Sequence, residues 1–309
     1  DDKKLANLIT WLPEQTFDLD ARLDLARLAA VLPETLRIRQ GTQVTSGQLQ
    51  VTAGSRRGAE GMNWQGTIQA ANLEAVNEGR RLVWGQPIFL TVAAQQSPQG
   101  PILNSLQCNS DFLKLHAAGT PEQLTGSATF DLTRLAEQLG ELVDLGGVRL
   151  AGDGGAQFDW RRSDAGDFGA EGVFQLGDFR LAIPDRPPWT EESLTVTLTA
   201  TGRTDLAADT QVETAMLRID AGADWLQARL TQPVLDAGGG VWPVEVRAAG
   251  ELARLTPRLG PWVPLDAWRP AGAFELFAEG TGSAAAVDVR QGRFSVASFQ
   301  VQGPGGELR

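Results

Sequence analysis

Few residues in this 309-residue chain carry side chains suited to chemistry, and their spacing argues against most of it. His116 is the single histidine, so no cluster of imidazoles can hold a metal. A Ser-His-Asp site would have to be built on it, yet no G-x-S-x-G turn occurs, and it reads as a partly exposed strand residue. Cys108 is the single cysteine and cannot close an intrachain disulfide. It alternates with Leu106 and reads as a small buried hydrophobe rather than a reactive thiol. Asp153, Asp159, Asp164 and Asp167 invite a calcium reading, but their spacing fits neither the EF-hand nor the glycine-rich nonapeptide loop, and a solvated hairpin accounts for them. Gly152, Gly154 and Gly155 match a phosphate loop only in composition, because no Gly-Lys-Ser/Thr follows. The sequence therefore offers no catalytic residue, no metal site and no cofactor site.

What remains is an apolar set at alternate strand positions: Phe17, Leu19, Leu49, Val51, Phe130, Phe158, Trp160, Phe174, Leu176, Phe274, Leu276, Phe294 and Val296. Side chains alternate across a strand, so each such run gives a sheet one dry face and one wet face. The run Phe17, Leu19, Ala21, Leu23 against Asp18, Asp20, Arg22, Asp24 is the clearest case. Further strands are expected near 49–53, 64–72, 87–94, 102–108, 112–118, 124–131, 148–160, 170–183, 193–201, 211–220, 225–231, 243–249, 271–279, 284–290 and 293–302. Clusters such as SPQGP at 97–101, PDRPP at 184–188 and DAGGG at 236–240 supply the turns.

The elements that position these residues recur. DLARLAAVLP from Asp24 returns as DLTRLAEQLG from Asp131 and ELARLTPRLG from Glu251, steps of 107 and 120 residues. Each is followed by a glycine (Gly47, Gly152, Gly272) and then by a second (Gly66, Gly172, Gly292), and Trp84 and Trp189 repeat as well. Leu25, Leu28, Ala29 and Leu32, like Leu132, Leu135, Ala136 and Leu139, have helical spacing, and the acid that opens each copy can cap it. Pro257 should shorten the third helix or make it restart at Thr256. Arg27, Arg134 and Arg254 point away from the apolar stripe and can pair with the acid three residues before. A sharper alternative has them meet anionic head groups. The expected division is the end of a preceding unit at 1–13, with Leu5, Leu8, Ile9 and Leu12 helical, then repeat units at 14–120, 121–240 and 241–309, the last truncated.

The fold class is thus mainly β with a few short helices: repeated antiparallel strand modules, one short amphipathic helix per module. One ten-residue helix cannot cover six strands, so either the sheet curls on itself or a ligand fills the groove. Net charge is −11 and the 27 basic residues are dispersed, which argues against nucleic acid. No run of 18 apolar residues exists to span a membrane. The chain opens at DDKK and stops at GGELR inside the third unit, which reads as a fragment whose anchor or targeting signal lies elsewhere.

The blocks FDLDARLDLARLAAVLPETLRIRQGTQVTSGQLQVTA, TGSATFDLTRLAEQLGELVDLGGVRLAGDGGAQFDW and VRAAGELARLTPRLGPWVPLDAWRPAGAFELFAEG resemble the AsmA/TamB-like superfamily of bacterial envelope proteins. The resemblance covers most of the chain and rests on periodicity and the DLxRL…G order. It implies a long, curved, taco-like sheet with a hydrophobic inner groove, no catalytic residues, and a periplasmic location anchored by a membrane segment absent here. It implies lipid acyl chains as cargo, the inner and outer membranes and an outer-membrane protein as partners, and a role in phospholipid transport or outer-envelope biogenesis. Two readings stay open beside it. One is a structural envelope scaffold with a closed core. The other is a carbohydrate-active β-repeat protein, for which nine tryptophans speak and the absence of tyrosine does not.

Overall fold

A computed structural model describes residues 16–35, 37–59, 61–98, 100–204, 210–238, 240–262, 269–283, 286–303 and 306–308. The helix expected within 1–13 lies outside them. Contacts divide the chain into two compact units with the boundary between Gly146 and Gly147.

The first unit contains β1 (Phe17–Asp24), α1 (Leu25–Val31), β2 (Thr42–Arg57), β3 (Met62–Asn77), β4 (Arg80–Val83), β5 (Ile88–Ser97), β6 (Gly100–Asn109), β7 (Leu113–Gly119), β8 (Gln123–Asp131) and α2 (Leu132–Leu142). Strands pair antiparallel with their chain neighbours, and β3 takes both β4 and β5. The second unit contains β9 (Arg149–Arg162), β10 (Asp167–Ala182), β11 (Trp189–Arg203), β12 (Gln211–Ala221), β13 (Asp224–Leu230), β14 (Trp242–Glu251), α3 (Leu252–Leu259), β15 (Arg269–Gly282), β16 (Val287–Gly303) and β17 (Gly306–Leu308), again paired neighbour to neighbour. The chain is mainly β and antiparallel, as its alternation requires. Two expectations fail. The strands expected at 284–290 and 293–302 are one strand over the described residues, because a bulge at Arg290 shifts the phase of alternation without interrupting the pairing (Glu279 faces Gln291, Gly280 faces Val289). Helix α3 also runs through Pro257 instead of ending or restarting there. Proline removes one backbone donor, and in so short a helix only one ladder bond is lost, while the Thr256 hydroxyl donates to the Leu252 carbonyl at 3.0 Å.

The helices begin where a strand ends. The Asp24 carboxylate accepts from the Ala26 and Arg27 amides at 2.9 and 3.1 Å, and that of Asp131 from the Arg134 amide at 2.9 Å, which satisfies orphan donors of the first turn. Glu251 makes no such cap. An eleven-residue helix is about 16 Å long, close to the roughly 19 Å spanned by four strand spacings from β8 back to β3. Accordingly α2 lies over Leu73, Ala75, Leu82 and Trp84 through Gln138, Glu141 and Leu142. Helix α3 reaches back in the same way from β14 to β11.

One backbone device recurs at three of the glycines singled out by spacing. Gly47, Gly152 and Gly272 have φ of +152°, +125° and +126°, a region open to glycine. Each sits at a register shift in its strand pair. Opposite them Asn72, Asp178 and Ser298 take the left-handed conformation at φ 55°, 47° and 54°. A Cβ on Gly152 would stand 2.8 Å from the Gly177 carbonyl oxygen, and one on Gly47 would stand 2.9 Å from Leu73 and 3.0 Å from Leu25. We expect Gly152→Ala to destabilise the second unit by about 1–3 kcal/mol in urea unfolding. Gly169→Ala, where a Cβ meets nothing within 4 Å, should be neutral or slightly stabilising.

Candidate functional site

Register fixes which side chains share a face, since directly paired residues project to the same side. In the second unit Phe158 pairs with Gly172 and Trp160 with Ala170. Phe174 pairs with Val196 and Leu176 with Leu194. The row continues through Val196↔Ile219, Ile219↔Leu226 and Leu226↔Ala248, then Ala248↔Leu276 and Leu276↔Phe294. All eight apolar positions singled out in this unit therefore lie on one face that crosses eight strands. In the first unit Phe17 pairs with Ser55, Leu19 with Ala53, Ala21 with Val51 and Leu23 with Leu49. The row extends through Ile68, Leu90, Cys108, Leu115 and Ala128 to the strand of Phe130, and all five candidates there share that face.

The opposite face is polar. Thr195, Thr197 and Thr199 project from it, and Arg229 meets Glu245 across the β13–β14 pair at 3.0 Å. In the first unit His116 stands on that unit's own polar face, exposed, opposite Gln107 and Ser127. Cys108 is half-buried on the apolar face opposite Leu90 and Leu115, and burial pushes its thiol pKa up. Of the acidic group, Asp159 pairs with Arg161 and Asp167 with Arg203, each at 2.9 Å, in and beside the β9–β10 hairpin. Among the described residues no three His, Cys, Asp or Glu side chains converge as a cation site would need, and no helix is long and apolar enough to cross a membrane.

Coverage of the apolar face is uneven. Of the thirteen candidates Leu176 and Phe274 are buried, Leu19, Phe158 and Phe294 stay 50%, 43% and 57% exposed, and the other eight are half-buried; Leu198, on the same face, is 48% exposed. Large side chains in a finished core are seldom left so open. Cover is concentrated at the helix end, where Leu252 packs on Ala248 and Phe274 with Leu226, Leu255, Leu276 and Val296 around them. Phe168 stacks on Trp160 near the other end at 4.8 Å between centroids.

An ion-pair cluster that sequence reasoning missed holds α3 in place. Buried Asp224, at the β12–β13 turn, accepts from Arg254 Nε and Nη2 at 2.8 and 2.5 Å, from Arg258 Nη1 at 2.5 Å and from the Glu251 amide at 3.0 Å. Buried Glu191 accepts from Arg258 through both oxygens and from Trp189 Nε1 at 2.7 Å. Gly250 makes room, since a Cβ there would lie 2.3 Å from Asp224 Oδ1. Arg134 pairs with Asp131 at 3.2 Å as the spacing suggests. Arg254 does not pair with the acid three residues before, because Asp224 lies beneath the first turn of its helix. A carboxylate distant in sequence gives no periodic signal; only the small residue before Glu251 hints at it. Comparison with protein-family models, curated proteins and solved structures finds no match to this chain.

Hydrogen bonds from Arg254, then Arg258 and the Glu251 amide, outweigh desolvation and hold the Asp224 pKa down to about 2 from 3.8. A carboxylate depressed in the folded state adds stability above its unfolded pKa, lost as pH falls through the folded value. The second unit should therefore lose about 2 kcal/mol between pH 4 and 2, read by Trp189 and Trp262 fluorescence during thermal melts. Asp224→Asn should remove that acid dependence and cost about 2–4 kcal/mol at pH 7, because two arginines lose their partner.

Proposed function

We propose that this chain is part of a membrane-tethered periplasmic protein whose apolar sheet face shelters lipid acyl chains during phospholipid transport or outer-envelope biogenesis, without covalent chemistry. The observation that carries the reading is the face itself: apolar from strand to strand in each unit, backed by a polar face, and left half open at Leu19, Phe158, Leu198 and Phe294. Location and tethering rest on the resemblance of the strand–helix–strand blocks. The repeated module gains support from local geometry. The register Asn63↔Gln95 of β3–β5 recurs as Gly169↔Thr201 in β10–β11, each partner 106 residues on (63 to 169, 95 to 201). Phe17↔Ser55 of β1–β2 recurs as Pro243↔Thr281 in β14–β15, each 226 on (17 to 243, 55 to 281).

Magnitudes favour long chains as cargo. Each methylene moved from water to an apolar surface is worth about 0.8 kcal/mol, so ten contribute roughly 8 kcal/mol, comparable to the roughly 4–15 kcal/mol entropic cost of association. Short chains would bind weakly. A bilayer offers equal shelter, so exchange between membrane and face is near balance, which suits passage more than storage.

Native mass spectrometry of the purified protein should find co-purifying phospholipid, and a photo-crosslinker at Phe158 or Phe174 should label lipid in cells. Leu198→Asp should abolish labelling, and Thr197→Asp on the opposite face should leave it unchanged. Absence of both phospholipid and labelling would leave a scaffold with a self-covered core, the arrangement already present beneath α3.

A further inference from the structure

The outer edge of β16 is open in a way that the edges of its counterparts are not. Among the described residues it has no partner strand from Val287 to Gln300, and β17 pairs only with Val301–Gly303. Every described residue from Ala286 to Ser295 is exposed, Val287 at 77% and Val289 at 60%. Proteins guard sheet edges with charge, proline or shortness. β1, which among the described residues is also paired on one side only, carries Asp18, Asp20, Arg22 and Asp24. β16 is 17 residues long and has neither charge nor proline from Phe294 to Gly303.

Three observations give the strand that fits. Gly292 of β16 corresponds to Gly66 of β3 and Gly172 of β10, as Ser298 corresponds to Asn72 and Asp178. The short strand β17 meets β16 as β4 meets β3, Gly303↔Gly306 standing for Asn77↔Arg80, each 226 on (77 to 303, 80 to 306). Beyond that contact, β3 and β10 each pair with a full strand, β5 or β11, that places a branched aliphatic residue opposite the glycine: Val92 at Gly66 and Leu198 at Gly172. A Cβ on Gly66 would lie 3.0 Å from Val92, so the missing side chain is the space the aliphatic group uses.

We propose that the edge of β16 over residues 292–296 is a docking site for one antiparallel strand of the β11 pattern, in which apolar and hydroxyl residues alternate (Leu194 to Thr199), with a branched aliphatic side chain seated over Gly292. The site extends the dry face beyond Phe294 and covers it. It rests on the repeat described above but not on lipid as cargo.

A fluorescein-labelled peptide of residues 189–203 should bind the intact, lipid-free protein, measured by anisotropy, and should slow hydrogen exchange within residues 292–296 at least tenfold. A peptide of the same composition in which Leu194 trades places with Thr195 and Leu198 with Thr199 should not. Gly292→Leu, which fills the space and sits on an exposed edge, should weaken binding about tenfold while melting as the parent does. The proposal is overturned if neither peptide binds, if both bind equally, if protection falls on β1 instead, or if sedimentation shows a second copy on this edge that the peptide does not displace. Strand addition without any bound lipid would keep the repeat and remove the cargo, so the two readings fail separately.

Discussion

The apolar face of each unit depends on a parity rule. Antiparallel pairing holds each strand to its neighbour residue by residue, and a slip of one position would turn every leucine of that strand to the wet side. An interface eight strands wide can remain apolar only if no pair slips. The irregularities at Gly47, Gly152 and Gly272 bend their strands and raise the local twist, and antiparallel pairing resumes on either side of each.

The apolar face meets its surroundings differently along its length. Near α3 the chain covers itself, with Leu252 over Ala248 and Phe274, and the charges that hold the helix are paired underneath. Buried ion pairs are weak sources of net stability, but they fix geometry because any other placement strands a charge. Asp224 and Glu191 therefore act as a template for where α3 lies. Away from that end, Leu198 and Phe158 stay 48% and 43% exposed.

What was legible in the sequence follows from this division. Alternation at Phe17–Asp24 or Leu194–Ala200 has one physical cause, a sheet with one wet side, so strands and face could be read directly. β4 could not, since four residues give no period, and the continuity of β16 was hidden because the bulge at Arg290 shifts the alternation while leaving pairing intact. Asn72 and Asp178 are residue types that tolerate the left-handed region, a usable signal; Ser298 is not. Asp224, Glu191 and Arg258 meet across 34 and 67 residues of chain, and only tertiary structure brings such carboxylates under a helix.

Each strand in these units pairs with the strand that precedes or follows it, or, for β3 and β5, skips only the short β4. No strand has to wait for a distant segment before it finds a place. Closure of each loop is correspondingly inexpensive in entropy, and a growing edge is always the template for the next strand. Assembly can then follow chain order, hairpin by hairpin, so a polypeptide delivered from one end would never need to hold its whole apolar surface unfolded in water at once.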